Sequence, residues 1–406
     1  MTYFRQAING VSWVGALRGV SRVISFLKSA ILARILVPSQ FGIFGIASLI
    51  LAFLETLTDT GINIFLIQEK DDIDDFVDTS WIVSILRGTI IFLLIVLSAF
   101  FVPNFFAVPE AKSLILLISI VPLVRGFINP AIVKFQKELN FRKDFIVRIM
   151  IFAFDAGISV YLAYKTNSPL SIIWGLIAGA VLEVILSYLL VKPIPAIKFE
   201  IEKLKEVVNR GKWITGAGVF QYLFKQGDDI VVGKLLGSES LGLYQMAYKV
   251  ATLPITEVAE VVGKVTLPIY VKMSADLKVL KNSMIKTTLG ISLVTIPLGL
   301  ILVIFSNQII FLVFGEKWLP AAPALQVVSI YSVIRAIINP ALIAFLALKK
   351  QEYYTATTLV GIVVMGIFIV PLVYKFGIVG AGLSTIVGSL ATVPLVVYLS
   401  TKLFKT

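Results

Sequence analysis

Long apolar runs recur along almost the whole chain, and they limit the folds that it can adopt. A helix of about 20 residues crosses a hydrocarbon core of about 30 Å. Apolar runs of this length are centred near residues 23, 53, 91, 122, 155, 180, 224, 255, 300, 333, 363 and 390. The runs are continuously apolar, whereas the strands of a membrane β-barrel alternate in polarity. With 58% hydrophobic residues and a mean hydropathy of +0.95, the sequence predicts an all-α polytopic membrane protein with about twelve transmembrane helices.

The basic residues of the loops predict how the chain lies in the membrane. Lys and Arg concentrate in the loops after even-numbered spans, above all in 134–148 and 192–212, and are sparse in the other loops. By the positive-inside rule, both termini face the cytoplasm, and the expected location is the cytoplasmic (inner) membrane. Charge interrupts the first apolar run, and no small-residue cleavage site follows it, so we expect it to be retained rather than cleaved as a signal peptide.

The absence of two residue types excludes several kinds of chemistry. The chain has no cysteine and no histidine, which excludes disulfides, thiolate or imidazole metal ligands and histidine acid–base catalysis. The Gly-Lys dipeptides at Gly211, Gly233 and Gly263 are not followed by Ser or Thr, so they do not form a phosphate-binding loop. We expect a protein that is not an enzyme and that has no metal site, no organic cofactor and no nucleic-acid partner.

Two pairs of related segments indicate an internal repeat. The sequence RGFINPAI at 125–132 recurs as RAIINPAL at 335–342, and RILVPSQFGIF at 34–44 aligns with KLLGSESLGLY at 234–244. Because each half holds an even number of predicted spans, the halves lie the same way up, as parallel repeats. The predicted organisation is an N-terminal six-helix lobe at 1–191, a cytoplasmic amphipathic linker at 192–212 and a C-terminal six-helix lobe at 213–406.

The first span carries an unusual number of charges. Arg18, Arg22 and Lys28 lie within LRGVSRVISFLKSAILAR, and each such charge costs roughly 2.5–3.5 kcal/mol at the bilayer centre on insertion scales. On a helix, Arg18 and Arg22 share one narrow polar face, and Lys28 lies roughly 80° to its side. Glu55 and Asp59 share a face of the second span and are candidate counter-ions of the arginines, which leaves Lys28 without a partner there.

The second half places acids where the first half is basic. In the alignment of the halves, Asp228 and Asp229 correspond to Lys28 and Ser29. Glu257 follows Thr256, which corresponds to Thr56 in the second span. These carboxylates suit either the binding of Na⁺ or a proton during transport or ion pairs that close the protein, and both readings stay open. Membrane potential alone is a third driving force. Isolated Arg87, Asp155 and Glu183 are expected to make structural polar contacts within the lobes, and a place in a transport pathway is the alternative.

The repeated Arg-x-x-Ile-Asn-Pro-Ala segments predict local bends. A proline inside a span removes one helical hydrogen bond, and nearby polar groups can satisfy the released carbonyl. We expect helix kinks with polar contacts here, and a direct substrate contact by an arginine is the alternative. The residues concerned are Arg125, Asn129, Pro130, Arg335, Asn339 and Pro340.

Two segments also resemble a known family. SRVISFLKSAILARIL at 21–36 is similar to the first helix of the lipid II and O-antigen flippases, with Ser25 in place of a glycine and Lys28 in place of an arginine. NPAIVKFQKELNFRKDF at 129–145 resembles the polysaccharide transporter branch of the multidrug/oligosaccharidyl-lipid/polysaccharide exporter superfamily. This resemblance implies two six-helix lobes that form a V, open alternately to either side and pass a polyprenyl-diphosphate-linked glycan outward. It also implies that Arg22 and Lys28 are the family's basic first-helix residues.

The resulting hypothesis is that Arg18, Arg22 and Lys28 bind the diphosphate of a lipid-linked oligosaccharide. Outward movement of an anion is favoured by about 2.3 kcal/mol per charge per 100 mV, so no ATP is needed. The expected partners are this substrate, membrane lipids and a glycan polymerase or ligase, and the chain is expected to be a monomer. The alternatives are a multidrug (organic cation) extruder of the same superfamily, a membrane polysaccharide polymerase and a purely structural assembly factor.

Overall fold

The computed structural model describes residues 2–58, 66–67, 73–197 and 201–404, without the side chains of 2–11, 201–221 and 223–224. All regular structure in this part of the chain is helical. The helices are α1 (Thr2–Ile35), α2 (Pro38–Leu57), α3 (Asp74–Ser98), α4 (Val102–Phe106), α5 (Ala111–Ile118), α6 (Ile120–Arg125), α7 (Lys134–Lys137), α8 (Phe141–Thr166), α9 (Leu170–Leu190), α10 (Ile201–Met273), α11 (Leu277–Ile304), α12 (Ser306–Phe314), α13 (Ala322–Ala347), α14 (Gln351–Phe376) and α15 (Ile378–Phe404). Short 3₁₀ turns lie at Pro130–Val133 and Glu316–Ala321.

The helices confirm an all-α polytopic membrane protein. Among the described residues, eight helices are long and apolar enough to cross a membrane, namely α2, α3, α8, α9, α11, α13, α14 and α15. The count is nine if Ala111–Arg125 and Pro130–Lys137, which meet at 75°, form one span. The other three predicted spans fall in α1 and in the two arms of α10. The number twelve and the two-repeat arrangement therefore stay predictions.

The chain divides into two compact units, Met1–Gly227 and Asp228–Thr406. The predicted lobe limits at 191 and 213 stay a prediction. The second half of the predicted linker is already part of α10. That helix is interrupted at Gly237, where φ is 83° and ψ is −177°. A positive φ is readily adopted only by glycine. The break follows Leu236, and the aligned residue in the first half, Leu36, lies between α1 and α2.

Small residues allow close helix packing in the first unit. At the crossing of α3 and α6, a Cβ atom added to Gly88 would lie 2.5 Å from the carbonyl oxygen of Pro122. At the crossing of α8 and α9, a Cβ atom on Gly175 would overlap Ser159. Helices in lipid associate mainly through such close van der Waals packing. α1 packs along α8, and the rings of Trp13 and Phe145 lie 5.3 Å apart there.

The second unit repeats this pairing of neighbours. α11 packs against α13, and α14 packs along α15. Gly299 of α11 lies against Val333 of α13, where an added Cβ would overlap the valine side chain. Beside α13, the fully buried rings of Phe314 and Trp318 lie 5.8 Å apart and fill the core where α12 meets the 3₁₀ turn.

The first Asn-Pro segment bends the chain. Asn129 is fully buried, and its side chain accepts a hydrogen bond from the Ala131 N–H at 3.0 Å. Its amide donates to the carbonyl of Pro193 at 2.9 Å, and its backbone N–H donates to the hydroxyl of Ser187 at 3.0 Å. One asparagine thus caps the turn at Pro130 and ties the start of the predicted linker to the first unit.

The second Asn-Pro segment leaves the chain helical. Pro340 lies inside α13, which continues to Ala347. Asn339 donates to the carbonyl of Ala259 on α10 at 3.3 Å. The same five-residue pattern therefore ends a helix in one half and links two helices in the other.

This difference predicts unequal effects of the same substitution. Asn129→Ala should destabilise the protein by about 1–3 kcal/mol, because it leaves a buried N–H and a carbonyl without partners. Asn339→Ala removes one long hydrogen bond and should cost less than about 1 kcal/mol. Melting temperatures of the purified variants in detergent provide the comparison. Equal losses at the two positions would contradict the different roles assigned to them.

Candidate functional site

The arginines of α1 lie on an exposed face. Arg18 and Arg22 are both exposed and are one helical turn apart. The nearby Ser21 hydroxyl donates to the carbonyl of Arg18 at 3.0 Å, so that serine hydrogen-bonds along its own helix. Guanidinium groups so spaced can converge on a single anion through bidentate hydrogen bonds. The exposed face of α1 can therefore bind a phosphate-bearing ligand.

Lys28 does not share that exposure. Its Nζ lies 2.6 Å from Oδ1 of Asp155 on α8, and the two side chains are only 12% and 14% exposed. The hydroxyl of Ser159, one turn further along α8, donates to the same carboxylate oxygen at 3.2 Å. Lys28, for which the second span offered no partner, thus has an acidic partner on α8. The intramembrane charge of Asp155 was the available signal, but nothing in the sequence links it to Lys28.

Glu55 makes its ion pair with a different arginine from those predicted. Its Oε1 lies 3.4 Å from Nη1 of Arg125 on α6, with both side chains more than a third exposed. Arg87 of α3 donates to the backbone carbonyl of Glu55 at 2.8 Å. This network joins α2, α3 and α6 within the first unit. Asp59, the other predicted counter-ion, lies outside the described residues.

In the second unit, Asp228 and Asp229 form a hydrogen-bonded cluster. Asp228 is buried, and the Tyr244 hydroxyl donates to its Oδ2 at 2.7 Å. The backbone N–H of Asp229 donates to Oδ1 of Asp228 at 3.0 Å, and the Gln245 amide donates to Oδ2 of Asp229 at 3.0 Å. These four residues are the acidic cluster of the second unit. Glu257 lies further along α10 and is half-buried.

The break at Gly237 brings this acidic cluster together. Asp228 and Tyr244 are 16 residues apart, and a straight helix would separate them by about 24 Å. Because α10 is interrupted at Gly237, Tyr244 lies beside Asp228 and its hydroxyl reaches the carboxylate. The sequence signals for the cluster were the paired aspartates and the Gly-Ser after Leu236. The separate apolar runs centred near residues 224 and 255 predicted two helices here, but the contact between Asp228 and Tyr244 was not predicted.

Aromatic residues extend from the acidic cluster to the second repeated arginine. The ring of Tyr244 lies 6.1 Å from that of Tyr248, which lies 6.4 Å from that of Tyr331 on α13. Arg335 donates to the Tyr331 hydroxyl at 2.8 Å. None of these three tyrosines was predicted from the sequence. Tyr244 and Tyr248, one turn apart on the second arm of α10, were the visible signal.

Residues 31–323 match a family model described as polysaccharide biosynthesis protein. Because the match covers most of the chain, the protein belongs to this family. The teichuronic acid biosynthesis protein TuaB of Bacillus subtilis (strain 168) is 25% identical over 338 residues, which cover 83% of this chain and 70% of TuaB. The lipopolysaccharide biosynthesis protein WzxC of Escherichia coli (strain K12) is 24% identical over 84% of this chain and 70% of its own.

Solved structures show the same fold. The lipid II flippase MurJ in an inward closed conformation aligns with a TM-score of 0.73 at 18% identity, covering 98% of this chain and 88% of MurJ. An inward-facing multidrug resistance MATE transporter of the MOP superfamily aligns with a TM-score of 0.70 at 15% identity, covering 95% of this chain and 94% of that transporter. The predicted resemblance to a polysaccharide family is confirmed by the family match, and the fold agrees with the one that the exporter superfamily implies.

The acidic cluster yields a prediction about stability. Tyr244→Phe removes the hydroxyl donor of the buried Asp228 carboxylate and should destabilise the protein by about 1–3 kcal/mol. Tyr374→Phe is the matched control, because that side chain is 72% exposed. The melting temperature in detergent should fall for the first variant and stay unchanged for the second. An unchanged value for both would show that the Tyr244 hydroxyl does not support Asp228.

Proposed function

We propose that the protein is a flippase that moves a polyprenyl-diphosphate-linked oligosaccharide outward across the cytoplasmic membrane for cell-surface glycan assembly. The observation that carries the proposal is the exposed pair Arg18 and Arg22 on a membrane helix, in a chain that belongs to a polysaccharide biosynthesis family. The relatives TuaB and WzxC are named for the biosynthesis of surface polysaccharides. The succinoglycan biosynthesis transport protein ExoT of Rhizobium meliloti (strain 1021), 23% identical over 76% of this chain and 62% of its own, is named for transport.

The physical basis is the fit between guanidinium and phosphate. Arginine stays charged and presents a planar fork that matches phosphate oxygens in pairs. In this proposal Arg18 and Arg22 hold the diphosphate, the polyprenyl chain stays in lipid, and Lys28 serves the site indirectly. The inside-negative potential favours outward movement of the anion by about 2.3 kcal/mol per charge per 100 mV.

The wider setting follows from the same proposal. The substrate crosses unchanged, so the protein is a transporter rather than an enzyme. It works as a monomer by alternating access in the inner membrane, with both termini in the cytoplasm, beside the polymerase or ligase that uses the translocated glycan.

We also propose that Asp228 and Asp229 couple transport to a cation gradient. Two carboxylates side by side repel each other, so uptake of Na⁺ or a proton relieves that repulsion. The acidic cluster offers further oxygen ligands in Tyr244 and Gln245. Cation entry through these residues would compensate the charge that leaves with the substrate.

A second candidate function, extrusion of organic cations, is favoured by one observation. The acidic cluster continues into the rings of Tyr248 and Tyr331, and aromatic faces next to carboxylates attract cations. The MATE-like fold also fits this candidate. Against it, Arg18 and Arg22 on α1 would repel a cationic substrate.

The flippase proposal predicts loss of transport when the arginine pair is broken. In proteoliposomes with an imposed inside-negative potential, Arg22→Gln and Arg18→Gln should each reduce the flipping of a fluorescent polyprenyl-diphosphate oligosaccharide at least about tenfold, because each removes a charge-assisted contact. Arg142→Gln, a loss of an exposed arginine in the first turn of α8, is the matched control and should flip at the wild-type rate.

Transport by Arg22→Gln and Arg18→Gln at the wild-type rate would exclude the arginines as the diphosphate site. If the wild type moves several glycans no faster than empty liposomes but extrudes an organic cation such as ethidium, the second candidate function replaces the first.

The coupling proposal predicts a different defect. Asp228→Asn with Asp229→Asn should leave flipping under an imposed potential within about threefold of wild type, yet abolish its stimulation by an inward Na⁺ or proton gradient. Initial rates with and without each gradient give the measurement, and Glu316→Gln is the control for loss of an acid in the same unit. Retained stimulation in the double variant would refute coupling through these aspartates.

A further inference from the structure

We propose that Asp155 is a positioning residue: through its ion pair with Lys28 it sets the rotation of α1 about its own axis and so directs Arg18 and Arg22 toward the ligand. The identity of that ligand rests on the flippase proposal. The positioning itself does not, because it concerns only the contact between α1 and α8.

The first step is the burial of the pair. Lys28 and Asp155 are 12% and 14% exposed, whereas Arg18 and Arg22 are exposed on the same helix. Moving Lys28 to a ligand would leave the Asp155 carboxylate buried without a counter-charge, which is strongly destabilising. The stable arrangement keeps Lys28 on Asp155, and the arginines remain the groups that a ligand can reach.

The second step is the geometry of α1. Trp13 and Lys28 both contact α8, through Phe145 and Asp155. On a helical projection of 100° per residue, Trp13 and Lys28 share a face about 60° wide. The face of Arg18 and Arg22 lies about 130° from it. Two separate contacts on one face, at Trp13 and at Lys28, determine where the face of the arginines points.

The third step is that Asp155 cannot move away from α1. Behind it, α9 approaches through two glycines: a Cβ atom on Gly175 would lie 2.8 Å from Oδ1 of Asp155, and one on Gly179 would lie 3.1 Å from its Cβ. The hydroxyl of Ser159 binds the same Oδ1. Asp155 is therefore enclosed between α1 and α9, and its place determines the place of the Lys28 ammonium.

Two measurements on the full chain in nanodiscs test the inference. The first is the affinity for geranylgeranyl diphosphate, with geranylgeraniol as the probe without phosphate. The second is the distance between nitroxides on Val23→Cys of α1 and Leu189→Cys of α9, both exposed positions in a chain without native cysteine. The distance reports the rotation of α1 whether or not a ligand binds.

The decisive variant is the charge swap Lys28→Asp with Asp155→Lys. It keeps the ion pair but puts a negative charge on α1, so it should retain the wild-type nitroxide distance and bind the diphosphate within about threefold of wild type. Asp155→Asn alone should shift or broaden the distance and weaken binding about tenfold or more, since a charge-assisted contact is lost. Arg22→Gln should weaken binding without changing the distance, and Gly157→Ala, a position on α8 with no neighbour within 4 Å, should change neither.

The outcomes separate this inference from the flippase proposal. If the charge-swap variant keeps the wild-type nitroxide distance but does not bind the diphosphate, Lys28 contacts the ligand directly, and the inference is overturned. An unchanged distance in folded Asp155→Asn would also overturn it, and if that variant does not fold, the charge swap decides alone. Failure of the wild type to bind geranylgeranyl diphosphate would instead count against the proposed ligand, while the nitroxide distances would still test the positioning.

Discussion

In hydrocarbon there is no water to satisfy a polar group, so each one must find its partner inside the protein. This constraint accounts for the helices and also for the places where they stop. Between the end of α6 and the 3₁₀ turn at Pro130, the Asn129 side chain binds the Ala131 N–H and the Pro193 carbonyl. At Gly237 the helix turns, and the two arms meet through the hydrogen bond between Tyr244 and Asp228. Departures from regular helix thus coincide with polar side chains that compensate for them.

The same constraint explains which features the sequence predicts well. The length and apolarity of the runs predict spans, because the free energy of inserting a helix into lipid is a sum over all of its residues. Partners of individual charges depend on which helices touch, and that is a property of the tertiary fold. Lys28 illustrates the difference: the sequence offered it no partner on the second span, and its partner in the structure is Asp155, 127 residues away. Glu55 in turn binds Arg125, 70 residues away.

The repeated segments show how one pattern can serve two structures. Arg125 and Arg335 occupy equivalent places in the two halves, yet the first binds the carboxylate of Glu55 and the second binds the hydroxyl of Tyr331. In the first half the chain bends at Asn129-Pro130, and Asn129 donates to the carbonyl of Pro193. In the second half Asn339 donates to the carbonyl of Ala259 from a helix that continues to Ala347. Local sequence predicted a polar contact in both halves, but not that the helix would continue through only one of the prolines.

The basic residues of α1 differ in burial: Lys28 is largely buried beside an acid, whereas Arg18 and Arg22 are exposed. The Lys28 ammonium is paired with the Asp155 carboxylate, which also accepts a hydrogen bond from Ser159, so the pair contributes no net charge to its surroundings. The positive potential of α1 therefore comes from its exposed arginines. Arg18 and Arg22 are exposed on a membrane helix, where each charge carries an insertion cost, and in the proposed function the binding of an anion offsets part of that cost. In that proposal, α1 packs against α8 through Lys28 while Arg18 and Arg22 face the ligand.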